Sequence, residues 1–233
     1  MDTLTTLDAG YRAIVIGATG GIGAGFVRCL EKDPRCADIA TLSRSTDGLD
    51  MTDEASIADH AARLHGREFQ LILCATGALT IDGTGPEKTI RSIDPAAMAR
   101  QFALNAIGPA LILKHFAPLL ARRKRALFAL LSARVGSISD NRLGGWISYR
   151  ASKAALNQIV CTSAIEIARS RPDAVVAALH PGTVETGLSS SYSPAHAVLQ
   201  PDESAASMLS VLDRLQPPDS GGFFAYDGTR IAW

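Results

Sequence analysis

The sequence predicts an α/β protein built on one doubly wound parallel sheet with helices on both faces. Three observations predict it. Short apolar, β-branched runs alternate with helical patterns from end to end. Alternation of that kind produces a parallel sheet covered on both sides. A glycine-rich turn follows the first apolar run and opens the first helix. At 233 residues with 47% hydrophobic side chains, the chain is long enough for one substantial core.

The elements follow in order. "RAIVIG" (12–17) is a buried strand closed by glycine, and "GIGAGFVRCLEKD" (21–33) is a helix with Ile22, Phe26 and Leu30 on one face. "ADIATLS" (37–43) is a second strand and "DEASIADHAARLHG" (53–66) a second helix that Gly66 ends. "FQLILCAT" (69–76) is a third strand. After a Gly- and Pro-containing stretch, a long helical region covers 96–123. "ALFALLSA" (126–133) is a further strand, followed by a helix that Arg171-Pro172 stops. "AVVAALHPG" (174–182), a helix over 202–215 and a last strand in "GGFFAYDG" (221–228) complete the pattern. No repeat or linker interrupts it, so residues 1–233 are expected to form one domain, ending in a short C-terminal region over about 187–233.

Lys plus Arg and Asp plus Glu number 23 each, so no global field favours nucleic acid or an anionic membrane. The basic run from Arg122 to Arg125 follows a helical pattern and reads as a solvated helix end. No apolar run approaches the roughly 18 residues of a membrane span. The N-terminus lacks a basic segment followed by an apolar one. The four cysteines show no C-x-x-C spacing, which fits a reduced, cytoplasmic chain.

The glycines of the first turn are Gly17, Gly20, Gly21 and Gly23, with Thr19 and Ile22 among them. Placed between strand and helix, they let the backbone approach a pyrophosphate and aim the helix N-terminus at it. The spacing is G-x-x-x-G-x-G, since Phe26 stands where G-x-G-x-x-G would need its last glycine. Further along, Tyr149 and Lys153 stand four apart and share one helix face.

This glycine turn followed by Y-x-x-x-K resembles the short-chain dehydrogenase/reductase family, and other motifs fall in the family's order. "LCATG" (73–77) sits where the family carries N-N-A-G, "FALNAIGP" (102–109) matches its helix asparagine, and "HPGTVET" (180–186) matches P-G-x-x-x-T. "SYRASKAALNQ" and the ending "DSGGFFAYDGTRIAW" look most like the C-factor/Sniffer-type branch of small carbonyl reductases. The resemblance implies a Rossmann-type fold and hydride transfer between a nicotinamide and a small carbonyl or alcohol substrate. It implies Tyr149 as acid/base, with Lys153 stabilising its phenolate and binding the nicotinamide ribose. Asn105 would hold a water that relays protons to Lys153.

For the cofactor it implies contacts from the glycine turn, from the strand end Cys74, Ala75, Thr76 and Gly77, and from Pro181, Gly182, Val184 and Thr186. Asp50 and Met51 match the position beside the adenine. The second strand ends in Ser43 and Arg44 with no acid at its tip. An arginine fork pairs with a 2′-phosphate, which favours NADP(H) over NAD(H). A homodimer or homotetramer is expected by resemblance.

Departures matter too. The strand-end asparagines are absent at Cys74 and Ala75, and Ile16 replaces a threonine. Ala133 stands where the family's catalytic serine would be. Ser132 should point to the opposite face, because strand side chains alternate. Ser137 is the other candidate. Trp146, Leu143 and Tyr192 could line a pocket, and His180 reads as structural. The alternative to an enzyme is a cofactor-binding regulatory protein with little or no catalysis.

Overall fold

The computed structural model describes residues 4–185 and 198–233. Six strands form one parallel sheet: β1 (Tyr11–Ile16), β2 (Cys36–Leu42), β3 (Leu71–Cys74), β4 (Ala126–Leu131), β5 (Ala174–His180) and β6 (Phe223–Ala225), in the order β2-β1-β3-β4-β5-β6. The helices are α1 (Gly21–Glu31), α2 (Arg44–Asp47), α3 (Glu54–Ala62), α4 (Pro95–Phe102), α5 (Gly108–Phe116), α6 (Ile147–Ala168) and α7 (Pro201–Arg214).

The sheet is apolar on both faces because helices cover both. Ile14, Ile72, Phe128 and Val176 point into one core, shared with α3, α5 and α6. Val15, Leu71, Ala129 and Val175 point into the other, with Phe26 of α1 and Met208 and Leu212 of α7. That is the period-two alternation of a strand, applied with an apolar residue at every step. The rank order matters for function. β1 pairs with β2 on one side and β3 on the other. The winding direction therefore reverses between β1 and β3, and a crevice opens at their carboxyl ends.

Two features differ from the sequence expectation. A short helix, α2, follows β2 directly. And the long helix expected over 96–123 is α4, then a π-helical turn over Ala103–Ile107, then α5 and a 3₁₀ turn over Ala117–Leu119. Pro109 accounts for the break. Its ring clashes with the carbonyl four residues back, that of Asn105, and it has no N–H to give that carbonyl. A π turn widens the helix by one residue there and faces Asn105 and Ala106 inward, both buried. By length and composition the Pro95–Leu119 path is apolar enough to cross a membrane. Charged residues divide it into shorter apolar runs, and it packs against α3 and α6 in the fold.

Candidate active site

The first turn needs glycine at two positions for two different reasons. Gly17 has φ +84°, and a Cβ on it would lie 2.8 Å from the carbonyl oxygen of Ala75. A Cβ on Gly23 would overlap the carbonyl oxygen of Gly17 and lie 2.8 Å from its carbon. The turn is thus wrapped on itself and pressed against the end of β3. Gly20 caps α1 with no side-chain hydrogen bond, and no acid stands in the first helical turn. The unpaired N–H groups and the positive helix end are left to an anion. This cradle fits a dinucleotide pyrophosphate, and Gly21 and Ile22 lie in the first turn of α1 beside it. Thr19 accepts a 3.0 Å hydrogen bond from Ser45, tying the turn to α2.

At the tip of β2, Ser43 is buried. Its hydroxyl caps α2, accepting from the Thr46 N–H at 3.2 Å, and its own N–H donates to Asp47 at 2.8 Å. Arg44 is exposed at the first position of α2. Asp47 is an acid that inspection of the strand tip misses. Its place four residues on brings it back to Ser43 only because a helical turn forms. The Thr46 hydroxyl, helped by Ser43, holds the Asp47 carboxyl below its usual range. Asp50 is exposed and accepts from the N–H and hydroxyl of Thr52, which keep it ionised. Met51 is buried, and its carbonyl lies where any side chain on Gly108 would go.

The end of β3 runs beneath the same crevice. Ala75 N–H donates to Ile16 at 2.8 Å. Cys74 is buried against the Thr76 hydroxyl at 3.2 Å, and burial pushes its thiol up. Gly77 adopts φ +142°, and a Cβ there would meet Asn105 Oδ1 and Lys153 Nζ, each at 3.0 Å. Asn105, fully buried, accepts from the Ala78 N–H at 2.9 Å. Its amide donates to the Ala78 carbonyl at 2.8 Å and to Gln101 at 2.6 Å. Gln101 in turn donates to the Leu79 carbonyl at 2.8 Å. These two amides hold the segment after β3 that lacks the family's asparagines. Both N–H groups of the Asn105 amide are engaged, while its Oδ1, accepting one bond, retains a second lone pair.

Tyr149 and Lys153 face this segment from α6. Tyr149 is 7% exposed and Lys153 3%. Burial raises the phenol to about 12 and lowers the ammonium to about 8. Lys153 donates to the Leu131 carbonyl at the end of β4, at 3.0 Å, and stands 5.9 Å from the Tyr149 ring centroid. Among the described residues the Tyr149 hydroxyl has no hydrogen-bond partner, which leaves it open to a substrate. Gly136 lets the β4–α6 connection close on this pair, since a Cβ there would lie 2.8 Å from Lys153 Cβ.

α6 begins at Trp146, in the left-handed region at φ +55° and without a side-chain cap. Glu87 supplies the cap from 61 residues away. Its carboxylate accepts from the Ser148 N–H and hydroxyl, and its carbonyl accepts from Trp146 N–H at 2.5 Å. Partial burial opposes its charge, and the Ser148 hydrogen bonds outweigh that and hold the carboxyl below its usual range. No sequence signal marks Glu87, because the contact is made between distant loops.

Ala133 closes the family's serine position, and neither neighbouring serine fills it. Ser132 donates to Asn157 at 2.6 Å on the α6 side of the sheet, and Ser137 donates to the Ala232 carbonyl at 2.5 Å. On the far side, Pro181 and Gly182 turn the chain out of β5. Gly182 has φ +80°, and a Cβ on it would meet the Tyr226 ring at 2.9 Å. Val184 is buried and bridges to Leu199. Thr186 and Tyr192 lie outside the described residues. Trp146 meets Tyr149 edge-on at 6.4 Å between ring centroids, whereas Leu143 is 91% exposed and lines nothing.

A glycine cradle at the switch point of a parallel sheet, with a buried Tyr-Lys pair on the same rim, defines a nicotinamide-dependent α/β oxidoreductase. The chain belongs to the short chain dehydrogenase family, whose model matches residues 11–197. It is 32% identical to 1-hydroxy-2-glutathionyl-2-methyl-3-butene dehydrogenase of Rhodococcus sp. strain AD45, over 94% of this chain and 98% of that one. It is 38% identical to the C-signal protein of Myxococcus xanthus, over 60% of this chain and 81% of that one. Among solved structures, NADPH-bound carbonyl reductase from chicken fatty liver superposes with TM-score 0.81 at 28% identity, covering 97% of this chain and 95% of that one.

Proposed function

We propose that this dehydrogenase/reductase uses NADPH to reduce a small carbonyl compound, with Tyr149 as the acid. The observation that carries the reading is the buried Tyr149–Lys153 pair beside Gly77 and Asn105, on the rim where the glycine cradle opens. When bound, the nicotinamide supplies the hydride. Tyr149 donates its proton to the carbonyl oxygen as that oxygen becomes an alcohol. The phenolate left behind is stabilised by Lys153, each pKa unit of lowering representing about 1.4 kcal/mol. Lys153 would also bind the nicotinamide ribose, and Asn105 would hold the water that returns the proton.

The preference for NADPH rests on Arg44, exposed at the start of α2, with the chicken reductase's NADPH in support. Asp47 works against it, so Arg44→Ala should weaken NADPH binding and leave NADH binding unchanged. Exposed Ile107 and Ile165, in the π turn and α6, support pairing of two copies through these helices. The free thiols suit a reducing cytoplasm.

The decisive experiment follows NADPH oxidation with a panel of aldehydes, ketones and quinones. Tyr149→Phe should abolish turnover while NADPH binding persists, and undiminished turnover in that variant would sink the mechanism. Ala133, with no serine hydroxyl in its place, favours a second reading as a cofactor-dependent regulator. Tight NADPH binding with no turnover across the panel would support it.

A further inference from the structure

The proposed acid stands at the weak end of its helix. Tyr149 is the third residue of α6, and Lys153 lies a full turn further in, anchored to the Leu131 carbonyl of β4 at 3.0 Å. The first turn of a helix carries N–H groups without an intrahelical partner, and helix ends fray. In α6 that turn has no side-chain cap from Trp146 and no acid of its own, and the chain enters it through Trp146 at φ +55°. What holds the first turn also holds Tyr149 against Lys153.

The hold comes from the connection between β3 and α4. The Glu87 carbonyl accepts from the Trp146 N–H at 2.5 Å. The Glu87 carboxylate accepts from the Ser148 N–H at 3.2 Å and from the Ser148 hydroxyl. A carboxylate at this place also complements the positive end of the helix. Trp146, fixed by the first of these bonds, meets the Tyr149 ring edge-on, with centroids 6.4 Å apart. The same connection starts at Gly77, where a Cβ would lie 3.0 Å from Lys153 Nζ, and continues through Ala78 and Leu79, which Asn105 and Gln101 grip. One segment therefore borders Lys153 at its start and caps the turn of Tyr149 further along.

We propose that Glu87 is a positioning residue, whose carboxylate sets the first turn of α6 and so keeps Tyr149 in its place beside Lys153. Glu87 acts through Tyr149 and takes no proton in the reaction. Lys153 has its own anchor on β4, so the two members of the pair are held by different elements. The proposal rests on the reading of Tyr149 as the acid of a carbonyl reductase.

Three variants test it. Glu87→Ala removes the carboxylate. Glu87→Asp keeps the charge and draws the oxygens back by one methylene. Glu87→Gln keeps an acceptor at the same reach without the charge. Turnover is measured well below each melting temperature, on protein shown to be folded by circular dichroism, with NADPH affinity read by cofactor fluorescence. A displacement of about 1 Å at a reacting group costs on the order of 10² in rate. Glu87→Ala and Glu87→Asp should therefore lose at least about tenfold in kcat while NADPH affinity stays within about threefold. Glu87→Gln should keep kcat within about threefold of wild type, because its amide oxygen reaches Ser148. A purely structural role would lower the melting temperature and leave kcat of the folded protein unchanged.

Glu87→Ala with kcat within about threefold of wild type overturns the proposal, as does a Glu87→Gln protein as slow as Glu87→Ala. A parallel loss of NADPH affinity also overturns it, since the effect would then lie on the cofactor segment. If Glu87→Ala does not fold, Gln must still exceed Asp in kcat, and equal turnover of the two overturns the proposal. A wild-type protein that turns over nothing on the panel would instead sink the reductase reading. The position of Tyr149 is then read by the nuclear Overhauser contact between the Trp146 and Tyr149 rings. Its weakening in Glu87→Ala and retention in Glu87→Gln support the assignment, and equal intensity in wild type and both variants overturns it.

Discussion

Replacing Gly23 by alanine tests the cradle most directly. The added methyl would overlap the Gly17 carbonyl oxygen and stand 2.8 Å from its carbon and 3.2 Å from Ala18 Cα. Carbon–carbon contacts settle at about 3.5–4.0 Å, so the carbon contact alone requires the turn and α1 to part by roughly 0.7–1.2 Å, and the overlapped Gly17 oxygen sets the lower limit at about 1 Å. Every obstructing atom is backbone, and no side chain can rotate away. Overpacking of this size costs about 1–3 kcal/mol, or some 2–12 °C of melting temperature in a chain this long. The larger effect is expected on function, because the displaced turn is the one proposed to close on a pyrophosphate. We expect NADPH affinity, measured by fluorescence titration, to fall at least about tenfold, equivalent to about 1.4 kcal/mol. Gly20→Ala is the control for stability: its Cβ would lie 3.3 Å from the Gly17 oxygen at φ −71°, an ordinary conformation for alanine. A Gly23→Ala protein with wild-type melting temperature and wild-type NADPH affinity would refute the wrapped-turn geometry.

Other expectations concern the remaining polar groups. Lys153 titrates at about 8 when folded against 10.5 in the unfolded chain, so its burial penalty is present below pH 8 and is relieved as pH rises toward 10.5. The stability of wild type relative to Lys153→Met should therefore increase by about 2 kcal/mol between pH 7 and roughly 9.5, measured by urea unfolding; a flat difference contradicts the burial. Asn105→Ala leaves the Ala78 N–H and carbonyl without partners, and should cost about 2–4 kcal/mol in calorimetry and weaken NADPH binding. Glu87→Ala removes the cap of α6 and should cost about 1–2 kcal/mol, with Glu87→Gln losing less because its amide oxygen still accepts from Ser148. Equal stability of Glu87→Ala and wild type would show that the cap is replaced by water.

The sheet was legible because most of its strands are short runs dominated by apolar residues, with Arg12 in β1 and Asp38 in β2 as exceptions, and turn-forming residues bound them. The glycine turn and the Tyr149–Lys153 pair were legible because each is a local pattern of residue type and spacing, and the fold places the first at a strand-to-helix turn and the second on one helix. What was not legible depends on contacts between distant segments. The π turn at Asn105 follows from Pro109, yet a proline early in a helical run reads equally well as a helix start. Glu87 reaches α6 across a loop, and Asp47 returns to Ser43 through a helix too short to show periodicity. The alternation rule did place Ser132 on the opposite face, where it meets Asn157. His180 reads as structural from the sequence, and the fold leaves its buried Nδ1 without a partner, a property that spacing does not carry.

These long-range contacts converge on one requirement of the site. A buried phenol and a buried ammonium each resist ionisation, and the catalytic roles proposed for them need the lysine charged and the tyrosine able to lose a proton. The chain meets the first need by giving Lys153 the Leu131 carbonyl, a fixed dipole that replaces water. It meets the second by geometry, through Gly77 and Gly136, which let the cofactor segment and the β4–α6 connection approach Lys153 with no side chain between them. The missing strand-end asparagines are compensated from another element, by Asn105 and Gln101 gripping Ala78 and Leu79. Loss of the serine is a different kind of change, because no protein hydroxyl has moved into its place.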